Sequence, residues 1–249
     1  MIDALDPGGF GGVTITKAIT LESDGTVASV LVSGTNGITI AAGPADMVTL
    51  RGIKITGLGN GIDGVRFNSG GGLTVERTEI DAFANNGINF MPNSAATLAV
   101  RDTTIRSSGT IGNANSGGIT IRPASGGSAN AMLERVQLFS NSYGLQVQGT
   151  ASVNVRNSVA STNGSNGFVV IGGGAAVQLM LDNVIASENS QAGVLAQGSA
   201  AIIRLSNSTL SGNTQGIQAT AGGQVISFGN NRNSGNISDG APTSIAGLQ

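Results

Sequence analysis

A four-residue unit, Gly then apolar, any residue, apolar, recurs along the whole chain. It reads Gly37-Ile-Thr-Ile40, Gly64-Val-Arg-Phe67, Gly87-Ile-Asn-Phe90, Gly118-Ile-Thr-Ile121, Gly144-Leu-Gln-Val147, Gly167-Phe-Val-Val170, Gly193-Val-Leu-Ala196 and Gly216-Ile-Gln-Ala219. Successive glycines stand 27, 23, 31, 26, 23, 26 and 23 residues apart, a mean near 26. Alternation with a period of two marks a short strand that buries one face. A second alternating strand keeps the same phase and ends at Leu50, Val75, Val100, Leu133, Val155, Leu181, Leu205 and Phe228. A third apolar position follows it at Ile55, Ile80, Ile105, Leu138, Ala160, Ala186 and Leu210. The first two series lengthen at the same step, so one inserted loop, residues 111–116, accounts for both.

Three short strands per repeat, with Val, Ile and Thr in them and no helical period, predict an all-β parallel β-solenoid. About nine coils of roughly 26 residues fill the chain as a single domain, residues 1–249. Residues 1–12 are then a short lead-in that covers the first coil poorly, and residues 229–249 a polar C-terminal capping tail. The inward set is Ile38, Ile40, Val65, Phe67, Ile88, Phe90, Ile119, Ile121, Leu145, Val147, Phe168 and Val170 with their second-strand partners.

Polar columns should stack in the same way. Asn157, Asn183, Asn207 and Asn230 follow the second strand and form a structural column of turn residues, since Asn tolerates the left-handed conformation and bonds nearby backbone. Replacing Asn183 is expected to cost more than replacing Asn163, which belongs to a second turn column with Asn141, Asn189 and Asn213. Just after the second-strand apolar residue the charge alternates: Arg51, Glu76, Arg101, Glu134, Arg156, Asp182. Coils about 4.8 Å apart set each charge against its opposite, a ladder that fixes register.

Composition narrows the chemistry. With no His and no Cys, Ser-His and Cys-His nucleophile systems are excluded, and zinc, haem and iron–sulfur sites lose their usual ligands. Twelve Lys and Arg against 14 Asp and Glu give no basic face for nucleic acid. No apolar run is long enough for a membrane-spanning helix. Met1-Ile-Asp-Ala4 does not open like a secretion signal. No metal site and no cofactor is expected.

The chain resembles a right-handed parallel β-helix of the pectin-lyase-like superfamily. Within it, the segment Leu5-Asp-Pro-Gly-Gly-Phe-Gly-Gly-Val-Thr-Ile-Thr-Lys-Ala-Ile19 and the closing Gly229-Asn-Asn … Asp239-Gly-Ala-Pro242 are similar to those of a group of secreted bacterial β-helix proteins. The resemblance implies a secreted or cell-surface protein. It also implies a secretion signal and a Cys-containing segment ahead of the first coil, neither of which stands before Leu5 here.

Enzymes of that superfamily work from one sheet face with carboxylates. On the first-strand face the outward positions are Thr39, Arg66, Asn89, Thr120, Gln146, Val169, Leu195 and Gln218. Two residues on come Ala41, Asn68, Met91, Arg122, Gln148, Ile171, Gln197 and Thr220. None is acidic, and two carboxyls are the minimum for ordinary glycoside hydrolysis. The galacturonase paired Asp and Gly-His-Gly motifs are missing. No catalytic residue is assigned.

Two features of this face suggest binding. Arg66, Asn68, Asn89, Arg122, Gln146 and Gln148 form a strip suited to a polysaccharide, and replacing Arg66 and Arg122 should leave stability nearly intact. Val169, Ile171 and Leu195 form an apolar patch suited to a protein partner. The expected function is a non-catalytic extracellular scaffold or interaction protein. The alternatives are a polysaccharide-binding module and, third, a polysaccharide lyase or hydrolase with its site in loops. Self-association through the N-terminal edge or the apolar patch is the expected oligomeric route.

Overall fold

The computed structural model describes residues 1–23 and 25–247. The chain winds as a right-handed solenoid of about nine turns, and every strand pairing among the described residues is parallel. Sheet two is the most regular of three. Its eleven strands run from Ile2–Asp3 through Met47–Arg51, Gly72–Glu76, Ala95–Arg101, Ser128–Glu134, Ala151–Arg156 and Val177–Asp182 to Ser244–Ile245. Sheet one stacks the Gly-initiated strands, among them Ile38–Ala41, Gly117–Ile121, Leu145–Gln148, Phe168–Ile171 and Ala192–Gln197. Sheet three stacks the short strands after each second strand, such as Thr104–Arg106, Gln137–Phe139 and Val159–Ser161. In two coils the corner between sheets three and one is itself strand, so Lys54–Ser69 and Glu79–Phe90 run through it.

Inward columns fill the interior. Ile38, Val65, Ile88, Ile119, Leu145, Phe168 and Val194 lie in register, one per coil, and all are fully buried. The parallel column holds Ile40, Phe67, Phe90, Ile121, Val147 and Val170, with the Phe67 and Phe90 rings 4.5 Å apart. Ile55, Ile80, Ile105, Leu138, Ala160, Ala186 and Leu210 form the third-strand column, as the spacing predicts. One register is corrected: Leu205 pairs with Ser227, so the eighth member of the second series is Ser227, not Phe228.

The repeated glycine has a steric cause. A Cβ on Gly118 would sit 2.7 Å from the carbonyl oxygen of Gly144 and 3.0 Å from Asn141 Nδ2. Gly37, Gly64, Gly87, Gly167 and Gly193 meet the next coil's carbonyl in the same way. The unit's first residue is therefore fixed by coil spacing. The other corner uses the left-handed conformation: Gly52, Arg77, Asp102, Arg135, Asn157, Asn183 and Asn207 all have φ between 49° and 68°.

Both ends depart from the expected layout. Residues 1–12 are not a bare lead-in, because Ile2–Asp3 joins sheet two and Gly8–Phe10 joins sheet three. The first coil therefore begins at Ile2 and not at Val13. The C-terminal tail lies over the last coil, with Thr243 N donating to Val225 O and Ile217 N donating to Asp239 O.

Candidate functional site

The expected strip on sheet one is in register, but it is wired into the protein. Arg66, Asn89, Thr120 and Gln146 follow one another coil by coil. Their hub is Asp63, a fully buried carboxylate of the Lys54–Ser69 strand that stands just before Gly64 and so outside the repeated unit. Asp63 Oδ2 accepts from Arg66 at 3.0 Å and from Asn89 Nδ2 at 3.0 Å, while Oδ1 accepts from the backbone and side-chain nitrogens of Asn86. Arg66 Nε donates to Asn68 Oδ1. Removing Arg66 would strip a buried carboxylate of its cation, so the expectation of near-intact stability is reversed.

Farther along, the inserted loop folds back onto the strip. Gln146 Nε2 donates to Ala114 O at 2.7 Å and Gln148 Nε2 to Asn115 Oδ1. Arg122 reaches Met91 Sδ. Asn89 and Gln146 are buried, each with its amide nitrogen used and its carbonyl oxygen without a donor. The strip thus presents few free polar groups to a ligand.

The apolar patch is also closed. Val169 is 1% and Leu195 9% exposed, packed with Ala192 and flanked by Ile171 and Tyr143. They form a small second core outside the coil. This corrects the expectation of an open apolar face at Val169, Ile171 and Leu195; stacked in register, these side chains cover one another, with Tyr143 at the flank.

The two Asn columns exchange roles. In the exposed one, Asn183 Nδ2 donates to Asn157 Oδ1 at 2.7 Å and Asn230 Nδ2 to Asn207 Oδ1 at 2.9 Å. Between these pairs the ladder breaks, since Asn207 turns to Asp182. The buried column is the continuous one. Asn163 bonds Asn189, Asn189 bonds Asn213 and Asn213 bonds Asn236 at 2.8–2.9 Å, each also holding a carbonyl of a neighbouring coil. Asn141 extends it to Ser108 N. Phe83 fills the corresponding corner one coil earlier, where its backbone N meets Ser108 Oγ and its C=O receives Gly109 N.

The charge ladder is in register throughout, and Glu22, unnoticed in the sequence, is its first rung. Glu22, Arg51, Glu76 and Arg101 form a continuous chain of contacts at 3.1–3.2 Å. Glu134 then binds Arg156 at 3.0 Å and Arg135 at 2.7 Å, and Arg135 also grips Asp102. On sheet three Glu79 lies between Lys54 and Arg106, which also reaches Asp81. Hydrogen bonds from these guanidiniums hold carboxyls below their usual range: Arg106 on Glu79, Arg135 on Asp102, Arg156 on Glu134. A carboxyl so held is a poor proton donor at neutral pH.

Several concave surfaces remain, two of them with mostly apolar walls. One is the N-terminal mouth of the solenoid, an apolar hollow of about 250 Å³ lined by Phe10, Val13, Leu21, Val30, Ile38 and Ile53. The other is a shallow groove of about 410 Å³ across the outer face of sheet two. Among the described residues no three His, Cys, Asp or Glu side chains gather to hold a metal, and no helix is long and apolar enough to cross a membrane.

No curated protein and no solved structure matches the chain. The family described as right handed beta helix region matches residues 11–183. That stretch is most of the chain and carries the repeated Gly unit, the stacked sheets and the start of the buried Asn ladder, and the chain belongs to the right handed beta helix region family.

Proposed function

We propose that the chain is a non-catalytic β-helix scaffold of the pectin-lyase-like kind that works outside the bacterial cell by end-to-end contact with other β-structure. The observation that carries this reading is the apolar end that the first described coil presents. Ile2, Phe10 and Val13 are the inward residues of the first coil, stacked on Leu21, Val30 and Ile38. All three are bare on the other side. Ten of the fifteen exposed large apolar residues among those described lie before Asp63, so the exposed apolar side chains gather in the first coils.

The outer backbone edge of that coil is suited to pair with a strand of another chain. A second copy offers one with the same hydrophobic columns. The tail that covers the C-terminal coil blocks head-to-tail growth, so a closed head-to-head pair is favoured over a filament. Carboxyls held by arginines support the non-catalytic part of the reading, and the resemblance of residues 5–19 supports the secreted part.

Sedimentation velocity over a wide concentration range tests it. The chain is expected to be a dimer that Phe10→Asp with Val13→Asp converts to a folded monomer. A wild-type monomer at high concentration overturns end-to-end association. Release of reducing ends or unsaturated products from polysaccharides overturns the non-catalytic reading.

A further inference from the structure

We infer that the N-terminal mouth takes an extended strand of another chain that carries a Lys or Arg one residue after an inward apolar one. This names the partner of the end-to-end contact proposed above and rests on that reading. A break in the charge ladder points to it. In sheet two Asp3 is the register partner of Glu22, Glu22 of Arg51, Arg51 of Glu76, and the column runs on through Arg101, Glu134 and Arg156 to Asp182. From Glu22 onward every rung sets a charge against its opposite. Asp3 stands against a like charge, an unfavourable arrangement for side chains directly across two strands. Among the described residues no ion pair reaches Asp3, and Arg51, the first guanidinium in the column, is engaged on both sides, by Glu22 and by Glu76 at 3.1 Å each.

The surroundings of Asp3 are shaped for a strand. Ala4 N donates to Glu22 O at 3.0 Å, which sets Ile2–Asp3 as the first strand of sheet two. Ile2 stacks on Leu21, and Leu21 and Ile19 are only partly buried. Asp3 and Glu22 stand on the rim of the apolar hollow whose walls are Leu21, Val30, Ile38 and Ile53. A strand added in parallel repeats the pairing that sheet two uses throughout, backbone to backbone with alternate side chains turned inward. Its apolar residue then lies over Ile2, facing the hollow, and the residue after it lies over Asp3. The chain's own strands carry that pair of residues as Leu50-Arg51, Val100-Arg101 and Val155-Arg156.

Charge selects among the occupants that an apolar hollow admits. Nucleic acid or an anionic lipid surface would meet two carboxylates, Asp3 and Glu22. A second copy fills the hollow without answering the charge: its first coil brings Asp3 and Asp6, and its first Lys, Lys17, stands after the Val13–Ile15 strand, outside this column. A basic strand supplies both the apolar side chains and the missing cation, so it displaces the second copy. Apolar burial and backbone bonds give most of the affinity, and the exposed charge pair sets the preference.

The test is a titration by NMR of the full chain with a peptide copying residues 95–101, Ala-Ala-Thr-Leu-Ala-Val-Arg, and with the same peptide carrying Arg101→Glu. The Arg peptide is expected to shift the signals of Ile2, Asp3 and Leu21 and to bind about two- to fivefold tighter than the Glu peptide, the range of one exposed ion pair. High salt should narrow the difference. Asp3→Arg restores the alternation against Glu22 and should reverse the preference without lowering the melting temperature. Phe10→Asp with Val13→Asp should abolish binding of both peptides. Sedimentation velocity without peptide reads self-association separately: a monomeric chain that shows the preference and its reversal supports the proposal and overturns only the second copy as partner. No binding of the Arg peptide, equal affinity for the two peptides, or a preference unmoved by Asp3→Arg overturns the proposal and leaves Asp3 as a charge that blunts the edge.

Discussion

Asn163→Ala and Asn183→Ala remove the same side chain from two turns of the same solenoid, and the structure assigns them very different costs. Asn163 is fully buried. Its Oδ1 accepts from Asn141 N at 3.0 Å, and its Nδ2 donates to Leu138 O at 3.2 Å and to Asn189 Oδ1 at 2.8 Å. Truncation removes all three bonds and leaves the buried Asn141 N–H without its partner, while Leu138 C=O keeps its place in the sheet-three ladder. Such a group costs about 1–3 kcal/mol, so with the two other bonds a loss of roughly 3 kcal/mol is expected, or about 6–12 °C of melting temperature for a chain of this size. Asn183 is exposed and loses one hydrogen bond, to Asn157. Its φ of 52° adds the left-handed cost for alanine, for a total of about 1 kcal/mol. Urea unfolding of the two variants measures the difference. Amide exchange locates it, because in a repeat array the loss should centre on the neighbouring coils. Equal losses, or a larger one at Asn183, would refute the assignment of the continuous ladder to the buried column.

Other substitutions probe the remaining constraints. Gly118→Ala is expected to cost roughly 2–3 kcal/mol by forcing adjacent coils apart, whereas Gly173→Ala, with open space around it, should be neutral; equal melting temperatures would remove the steric reading of the repeated glycine. Arg66→Ala should destabilise by roughly 1–3 kcal/mol in chemical denaturation, discounted from the full buried-pair value because the Arg66 side chain is 32% exposed; an unchanged midpoint would show that Asp63 does not need its cation. Lowered carboxyls at Glu79, Asp102 and Glu134 stabilise the fold above the unfolded-state values near ~4 and lose that contribution as pH falls through their lower folded values. Melting temperature should therefore hold from neutral pH down to about 5 and decline below about 4, less steeply in high salt, and a rise on acidification would contradict the ladders.

Much of the fold was legible in the sequence because a solenoid repeats its constraints. The period-two alternation placed the inward columns correctly from Ile38 to Val170, and the common lengthening at residues 111–116 gave the register across the inserted loop. Charge alternation from Arg51 to Asp182 was visible for the same reason. What periodicity does not encode is what covers an outward position. Val169 and Leu195 read as exposed because they point away from the coil, and Gln146 read as free because the inserted loop that seizes it is irregular. Asp63 was invisible because it stands outside the Gly-initiated unit. The two Asn columns were both seen, yet only burial says which one is continuous.

End-to-end association is the central claim, and small-angle X-ray scattering on the purified chain tests its geometry most directly. About nine turns at ~4.8 Å per turn give a rod of roughly 45 Å. A head-to-head pair joined at Phe10 and Val13 should be a rod of about twice that length with an unchanged cross-section, and Phe10→Asp with Val13→Asp should return it to the single length. A particle of doubled mass but single length would place the interface on the side of the solenoid, and a particle of single mass would leave the mouth unpaired; either result contradicts the account.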